Sequence, residues 1–136
     1  MTRIGFPGTI EVILIGALDG TQEDTETTLN EAIGILGEYL DSIPQGLELL
    51  IIPSINPDGS YHNSRNNANN VDLNRNFSTS NWRSDPPVPG APNGKEGAGG
   101  PYPFSEPETQ AVRSLVESLR QSEAIYLITF HSTVAR

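Results

Sequence analysis

Three apolar runs constrain the fold of this chain more than any other feature: Ile10–Leu18 (IEVILIGAL), Leu47–Ile55 (LELLIIPSI) and Ala124–Phe130 (AIYLITF). Each is too short to span a bilayer. Each is nearly continuous in apolar residues, the pattern of a strand buried on both faces. Between the first two lies Thr21–Leu40, with Leu29, Ala32, Ile33, Leu36 and Leu40 at helical spacing and Asp24 or Thr25 placed to cap its start. Before the third, Ser105-Glu106-Pro107-Glu108 has the form of a capping box with Ser105 as N-cap. Ala111, Leu115, Val116 and Leu119 then form an apolar stripe. The order strand, helix, strand, loop, helix, strand predicts an α/β fold, a parallel-rich sheet flanked by helices. Three strands make a small core for this class.

The 136 residues are enough for one domain, so residues 1–136 are expected to form a single domain. A formal net charge of -9 argues against a nucleic-acid surface, which needs clustered positive charge. There is no cysteine, so disulfides are excluded and any metal site must use nitrogen and oxygen ligands. The N-terminus MTRIGFPGTIEV lacks the apolar stretch of a secretory signal, which places the chain, as written, in the cytoplasm and off the membrane.

In parallel sheets ligands collect outside the carboxyl ends of the strands. Asp19, Asn56–Asp58 and His131 each follow an apolar run. Asn56-Pro57-Asp58-Gly59 is a turn signal that needs no function to explain it. It opens a long polar loop, 56–104, whose first part (NPDGSYHNSRNNANNVDLNRNF) is too polar to be expected in a core. That part carries Arg65, Asn74 and Arg75. Two guanidiniums and an amide on one loop suit a carboxylate, because arginine presents a fixed fork of donors to two oxygens. A solvated, flexible loop is the competing reading, and Arg75 could instead pair with an acidic helix start. Asp19 alone reads as a helix-start residue, His62 as a solvated loop residue, and Phe77 and Trp82 as anchors holding the loop to the sheet.

Taken together, NPDG, a following arginine, VDLNRNF, PFSEPET before a helix and FHS after a strand resemble the zinc carboxypeptidases. Their compact spacing is most similar to the bacterial murein-peptide amidases and gamma-D-glutamyl-diamino-acid peptidases, over Ile10 to Ser132. The resemblance implies a partial zinc-carboxypeptidase-like fold. It implies that Arg65 polarises the scissile carbonyl and holds the oxyanion, and that Asn74 and Arg75 grip a terminal carboxylate of a peptide or peptidoglycan stem peptide. His131 matches the last zinc ligand. The family's His-x-x-Glu ligand pair falls on Asp19 and Gln22, and Asp72 matches the carboxylate that orients the first histidine. The family's water-activating glutamate and substrate-covering tyrosine fall beyond the last residue, so the chain is expected to be truncated and, alone, inactive.

The departures matter chemically. Asp19 reaches less far than a histidine, by roughly an ångström against a tolerance of about 0.2 Å for a metal bond. Gln22 is a neutral amide and a poor zinc ligand. Zinc is therefore expected to be weak or absent. Asp72 would face Asp19, and two close carboxylates are expected to share a proton or hold a hard cation. A pseudoenzyme that binds peptide or peptidoglycan carboxylates without cutting them is the alternative function, and a small structural domain with relic motifs is a third.

Overall fold

Hydrogen bonding joins the three apolar runs into parallel strands and adds a fourth strand that the apolar pattern does not reveal. In the computed structural model, which describes residues 1–85 and 98–132, the strands are β1 (Thr2–Gly5), β2 (Ile10–Ile15), β3 (Leu47–Ile52) and β4 (Ala124–Thr129). The sheet order is β1-β3-β2-β4. β2 runs parallel to β3, from Ile10 opposite Leu47 to Ile15 opposite Ile52, and parallel to β4, from Ile10 opposite Ala124 to Ile15 opposite Thr129. β1 lies antiparallel to β3, with Thr2 opposite Ile51 and Gly5 opposite Glu48. Its sequence, TRIG, has a single aliphatic side chain, Ile4, which is buried. Residues 86–97, within the 56–104 loop, lie outside the described part.

The strands stop short of the apolar runs for identifiable reasons. β3 ends before Pro53, which has no N–H for a ladder. After β2 the chain turns at Ala17, whose φ of 45° is left-handed and whose N–H donates to Thr25 Oγ1 at 2.9 Å. β4 departs from expectation. It is an edge strand with Tyr126, Leu127 and Ile128 exposed by 57%, 45% and 46%, not a strand buried on both faces.

The chain divides into two compact units. The first comprises 1–17, 22–55 and 116–136, with the sheet and helix α1 (Glu23–Glu38). Ile4, Leu29, Ile43 and Ile51 form its core, packed by Leu14, Ile33, Leu36, Leu47, Leu49 and Phe130. α1 starts later than the apolar period suggests, and neither Asp24 nor Thr25 is its N-cap. Gln22 occupies that position without a side-chain cap, while Thr25 Oγ1 donates to the Gln22 carbonyl at 2.7 Å. Glu23, Asp24 and Glu26 in the first turn favour the positive end of the helix dipole.

The second unit comprises 18–21 and 56–115. NPDG is here a helix start. Asn56 caps α2 (Pro57–His62), its Oδ1 accepting from Gly59 N at 3.0 Å, with Pro57 in the first turn and Asn63 closing the helix in the left-handed conformation. The polar stretch is also a core of its own kind. Asn56 and Asn76 have no exposed surface, and Asn66, Asn67, Asp72, Val71 and Leu73 are buried beside them. Asparagine can be buried where its amide meets backbone groups, and these amides do. Phe77 packs edge-to-face on Phe104 (centroids 5.7 Å apart), and Trp82 Nε1 donates to the Gly99 carbonyl at 3.1 Å. Both aromatic anchors therefore find partners within the loop itself.

Helix α3 (Pro107–Ser118) begins one step later than a Ser105 capping box requires. The Glu106 carbonyl accepts its first bond, from Gln110 N at 3.0 Å, and Pro107 leads the first turn. Ser105 Oγ instead donates to Glu106 Oε1 at 2.6 Å. The buried stripe is Thr109, Val112 and Leu119, with Ala111 exposed. Thr109 joins it because its hydroxyl donates to Asn76 Oδ1 at 2.6 Å.

Close backbone packing fixes the Asp19-Gly20 turn. A Cβ on Gly20 would lie 2.1 Å from the Gly59 carbonyl carbon and 2.4 Å from the Ser64 carbonyl oxygen. Neither backbone group can swing aside. Gly20→Ala is therefore expected to cost about 1–3 kcal/mol, the range for overpacking, and to lower the melting temperature accordingly. A thermal melt matching wild type would show that this turn yields.

Candidate carboxylate-binding site

A short 3-10 turn, Leu73–Arg75, organises the site. Asp72 caps it, its Oδ1 accepting from the backbone N–H of Asn74 at 3.1 Å. Leu73 is fully buried, which anchors the turn and leaves Asn74 exposed with Arg75 beside it. The other Asp72 oxygen, Oδ2, accepts from Arg65 Nε at 2.7 Å and Arg75 Nε at 3.1 Å. One buried carboxylate thus holds two guanidiniums by their inner nitrogens.

Asp19 continues the network. Its Oδ2 accepts from Arg65 Nη1 at 2.9 Å. Its Oδ1 accepts from the Thr21 backbone N–H at 2.9 Å and the Thr21 hydroxyl at 2.7 Å. Arg65 stands between the two aspartates, its Nε on Asp72 and its Nη1 on Asp19, so a guanidinium bridges the pair of carboxylates. Burial alone would weaken the charge on Arg65, but the hydrogen bond and charge of Asp72, with the charge of Asp19, outweigh it and raise Arg65 above its usual range.

Asp19, Arg65, Asp72, Asn74 and Arg75 are thus gathered within the second unit. Gln22 and His131 belong to the first. Gln22 Nε2 donates to the Ser132 carbonyl at 3.0 Å, and its Oε1 is buried with no partner among the described residues. The His131 ring is exposed, with Nε2 3.2 Å from Thr129 Oγ1.

The zinc implied by the sequence motifs does not fit these donors as they stand. Both oxygens of Asp19 are engaged, one by a guanidinium that a cation would have to displace. The orphaned Gln22 oxygen is a free acceptor, but a neutral one. Among the described residues no three histidine, cysteine, aspartate or glutamate side chains gather as a metal group.

Sequence reasoning missed two contributors. Thr21 fixes Asp19 with two donors, and an Asp-Gly-Thr turn is the signal for it. Glu106 ties the loop together, accepting at Oε2 from Asn67 Nδ2 at 2.9 Å and Asn69 Nδ2 at 2.8 Å. Burial pulls the Glu106 carboxyl upward, but hydrogen bonds from Ser105, Asn67 and Asn69 prevail and hold it below its usual range.

Comparison with known proteins bears on the family and the fold. Residues 36–135 match the zinc carboxypeptidase family. The chain is 36% identical over 90 residues to murein peptide amidase A of Escherichia coli K12, covering 62% of this chain and 36% of that protein. It is 35% identical over 141 residues to murein peptide amidase A of Vibrio campbellii, covering 96% of this chain and 52% of that protein. Among solved structures, Helicoverpa armigera carboxypeptidase A superposes with a TM-score of 0.71 at 25% identity, over 92% of this chain and 34% of that one. The murein-tripeptide amidase of E. coli O157 gives 0.64 at 27% identity, over 96% of this chain and 53% of that one. The chain spans between about a third and a half of these relatives. On the extent of the family match and the agreement of the fold, it belongs to the zinc carboxypeptidases.

Proposed function

We propose that the chain binds the free carboxylate of a peptide, a peptidoglycan stem peptide by analogy with its amidase relatives. Arg65 and Arg75 are the cationic contacts, with the exposed Asn74 amide beside them. The observation that carries this reading is the grip of Asp72 on both Nε atoms. It fixes the two planes while their outer nitrogens stay accessible, the side chains of Arg65 and Arg75 being 46% and 28% exposed. Among the described residues Arg65 Nη2 and both Arg75 Nη groups have no hydrogen-bond partner. Guanidiniums oriented before the ligand arrives lose little freedom on binding, which favours affinity.

The residues present bind rather than cut. Both oxygens of Asp19 already accept from donors, so a cation there would have to compete with Arg65 and Thr21 for them. The alternative, a hydrolase of murein-type peptides, is favoured by the family match. The two separate experimentally. Calorimetry with a peptide bearing a free C-terminal carboxylate should show binding, the C-terminal amide should bind far less, and Arg75→Ala should weaken binding about tenfold to a hundredfold. Equal affinity for acid and amide would refute carboxylate recognition. Chelator-sensitive release of a C-terminal residue would restore the hydrolase.

A further inference from the structure

A second ionisable cluster lies in the sheet, among residues with no part in the Asp72 network. Glu11 on β2 and Glu48 on β3 are register partners on parallel strands, so their side chains project to the same face. Both are buried, at 5% and 6% exposure, on the face that carries Ile13, Ile15 and Leu50. Glutamate is rarely buried to this extent without a cation of its own. Among the described residues one cation serves the two acids: Arg3 on β1 donates from Nη1 to Glu48 Oε2 at 2.5 Å. Among the described residues Glu11 Oε2 is buried and has no hydrogen-bond partner.

That orphaned oxygen is explained if it is not a bare acceptor. An unpaired carboxylate oxygen beside a second carboxylate is costly, whereas a carboxylic acid there is a donor with a ready acceptor. We propose that Glu11 and Glu48 hold one proton between them, Glu11 as the acid and Glu48 as the charged partner of Arg3. The pair is then a pH-sensitive fastening at the amino-terminal ends of β2 and β3. The bookkeeping of charge closes at zero with one proton, one arginine and two glutamates.

The groups acting on Glu11 oppose one another, and the raising ones prevail. Burial is the largest and raises its carboxyl, the charge of Glu48 raises it further, Arg3 lowers it, the hydrogen bond to Glu48 raises it and that to the Ser122 hydroxyl lowers it. The net effect is upward. An acid raised in the folded state binds more protons folded than unfolded, so stability is greatest below the ordinary carboxyl value. It falls as pH rises through the folded value. Releasing the proton leaves two buried carboxylates against a single guanidinium, and this loosens the hold of β1 and β2 on β3.

The test is carboxyl-carbon NMR of the whole chain, with melting temperature against pH as a second reading. In wild type, Glu11 should stay protonated while exposed glutamates titrate near about pH 4.3. Arg3→Gln should move its titration higher still, since the lowering charge is gone. Glu11→Gln keeps the neutral donor. It should flatten the decline in melting temperature as pH rises above the ordinary carboxyl range and be the more stable form at the upper end. Glu11 titrating together with the exposed glutamates would overturn the proposal, as would a pH decline unchanged in Glu11→Gln.

Discussion

Asp72→Asn is expected to unfold the chain about 10 °C earlier than wild type and to abolish carboxylate binding. Asp72 is 2% exposed and accepts from Arg65, Arg75 and the Asn74 backbone. The amide keeps the volume but puts a donor or a weak neutral acceptor where two guanidiniums point. Losing a charged acceptor from two such bonds would exceed 3 kcal/mol in a dry interior. The arginines are partly solvated, so the loss is screened to about 2–3 kcal/mol, at roughly 4 °C per kcal/mol for a domain of this size. Binding fails for a separate reason, because guanidiniums no longer held by Nε lose their common orientation. Asp19→Asn is the comparison. Arg65 keeps its bond to Asp72 there, so the effect on melting should be at most half as large. A larger loss in Asp19→Asn would make Asp19 the principal anchor instead.

How this site was legible in the sequence follows from the same network. Arg65 and Arg75 can be picked out because charged residues in a polar loop stand out by type, and Asn74 by its place in VDLNRNF. Their convergence on Asp72 cannot, since an aspartate flanked by arginines is common and only the 3-10 turn aims its oxygens. The relation between Asp19 and Asp72 was legible in part. That two acids come close could be anticipated; that Arg65 lies between them depends on the side chain bending back across the loop.

The fold was legible where burial is apolar and obscure where it is polar. β2, β3, α1 and α3 announce themselves through hydrophobic period, whereas the polar α2 does not. β1 does not, because an antiparallel edge strand needs backbone pairing more than side chains, and TRIG offers only Ile4 to the core. The 56–77 stretch misleads in the opposite direction. Its asparagines look solvated by composition, yet Asn56, Asn67 and Asn76 are interior, where their amides satisfy backbone groups that no helix or strand pairs. Composition measures transfer from water and does not count hydrogen bonds regained.

Asn76 gives the strongest test of that polar interior. It has no exposed surface, and its Nδ2 donates to the carbonyls of Gly99 (2.9 Å) and Tyr102 (3.2 Å) and to Ser105 Oγ (2.9 Å). Its Oδ1 accepts from Glu106 N (3.2 Å) and Thr109 Oγ1 (2.6 Å). Not all of these partners would be stranded by its removal. Ser105 still reaches Glu106 Oε1 and Thr109 still reaches the Glu106 carbonyl. The Gly99 carbonyl keeps Trp82 Nε1 and the Tyr102 carbonyl keeps the Ser105 N–H, so the group left unpaired is the Glu106 N–H, worth about 1–3 kcal/mol when buried. With the net loss of the other hydrogen bonds, Asn76→Ala is expected to cost about 2–4 kcal/mol, and amide hydrogen exchange at Glu106 should accelerate more than at residues of β2 or β3. Asn76→Leu restores the lost volume without the hydrogen bonds, so it should be as damaging as alanine; if it proved mild, packing rather than hydrogen bonding would be what Asn76 supplies. Asn76→Asp keeps Oδ1 but replaces the donating amide with an oxygen facing two carbonyls, close to the charged and buried Glu106. It should be the worst of the three at neutral pH and recover partly on acidification, as protonation returns one donor to the site.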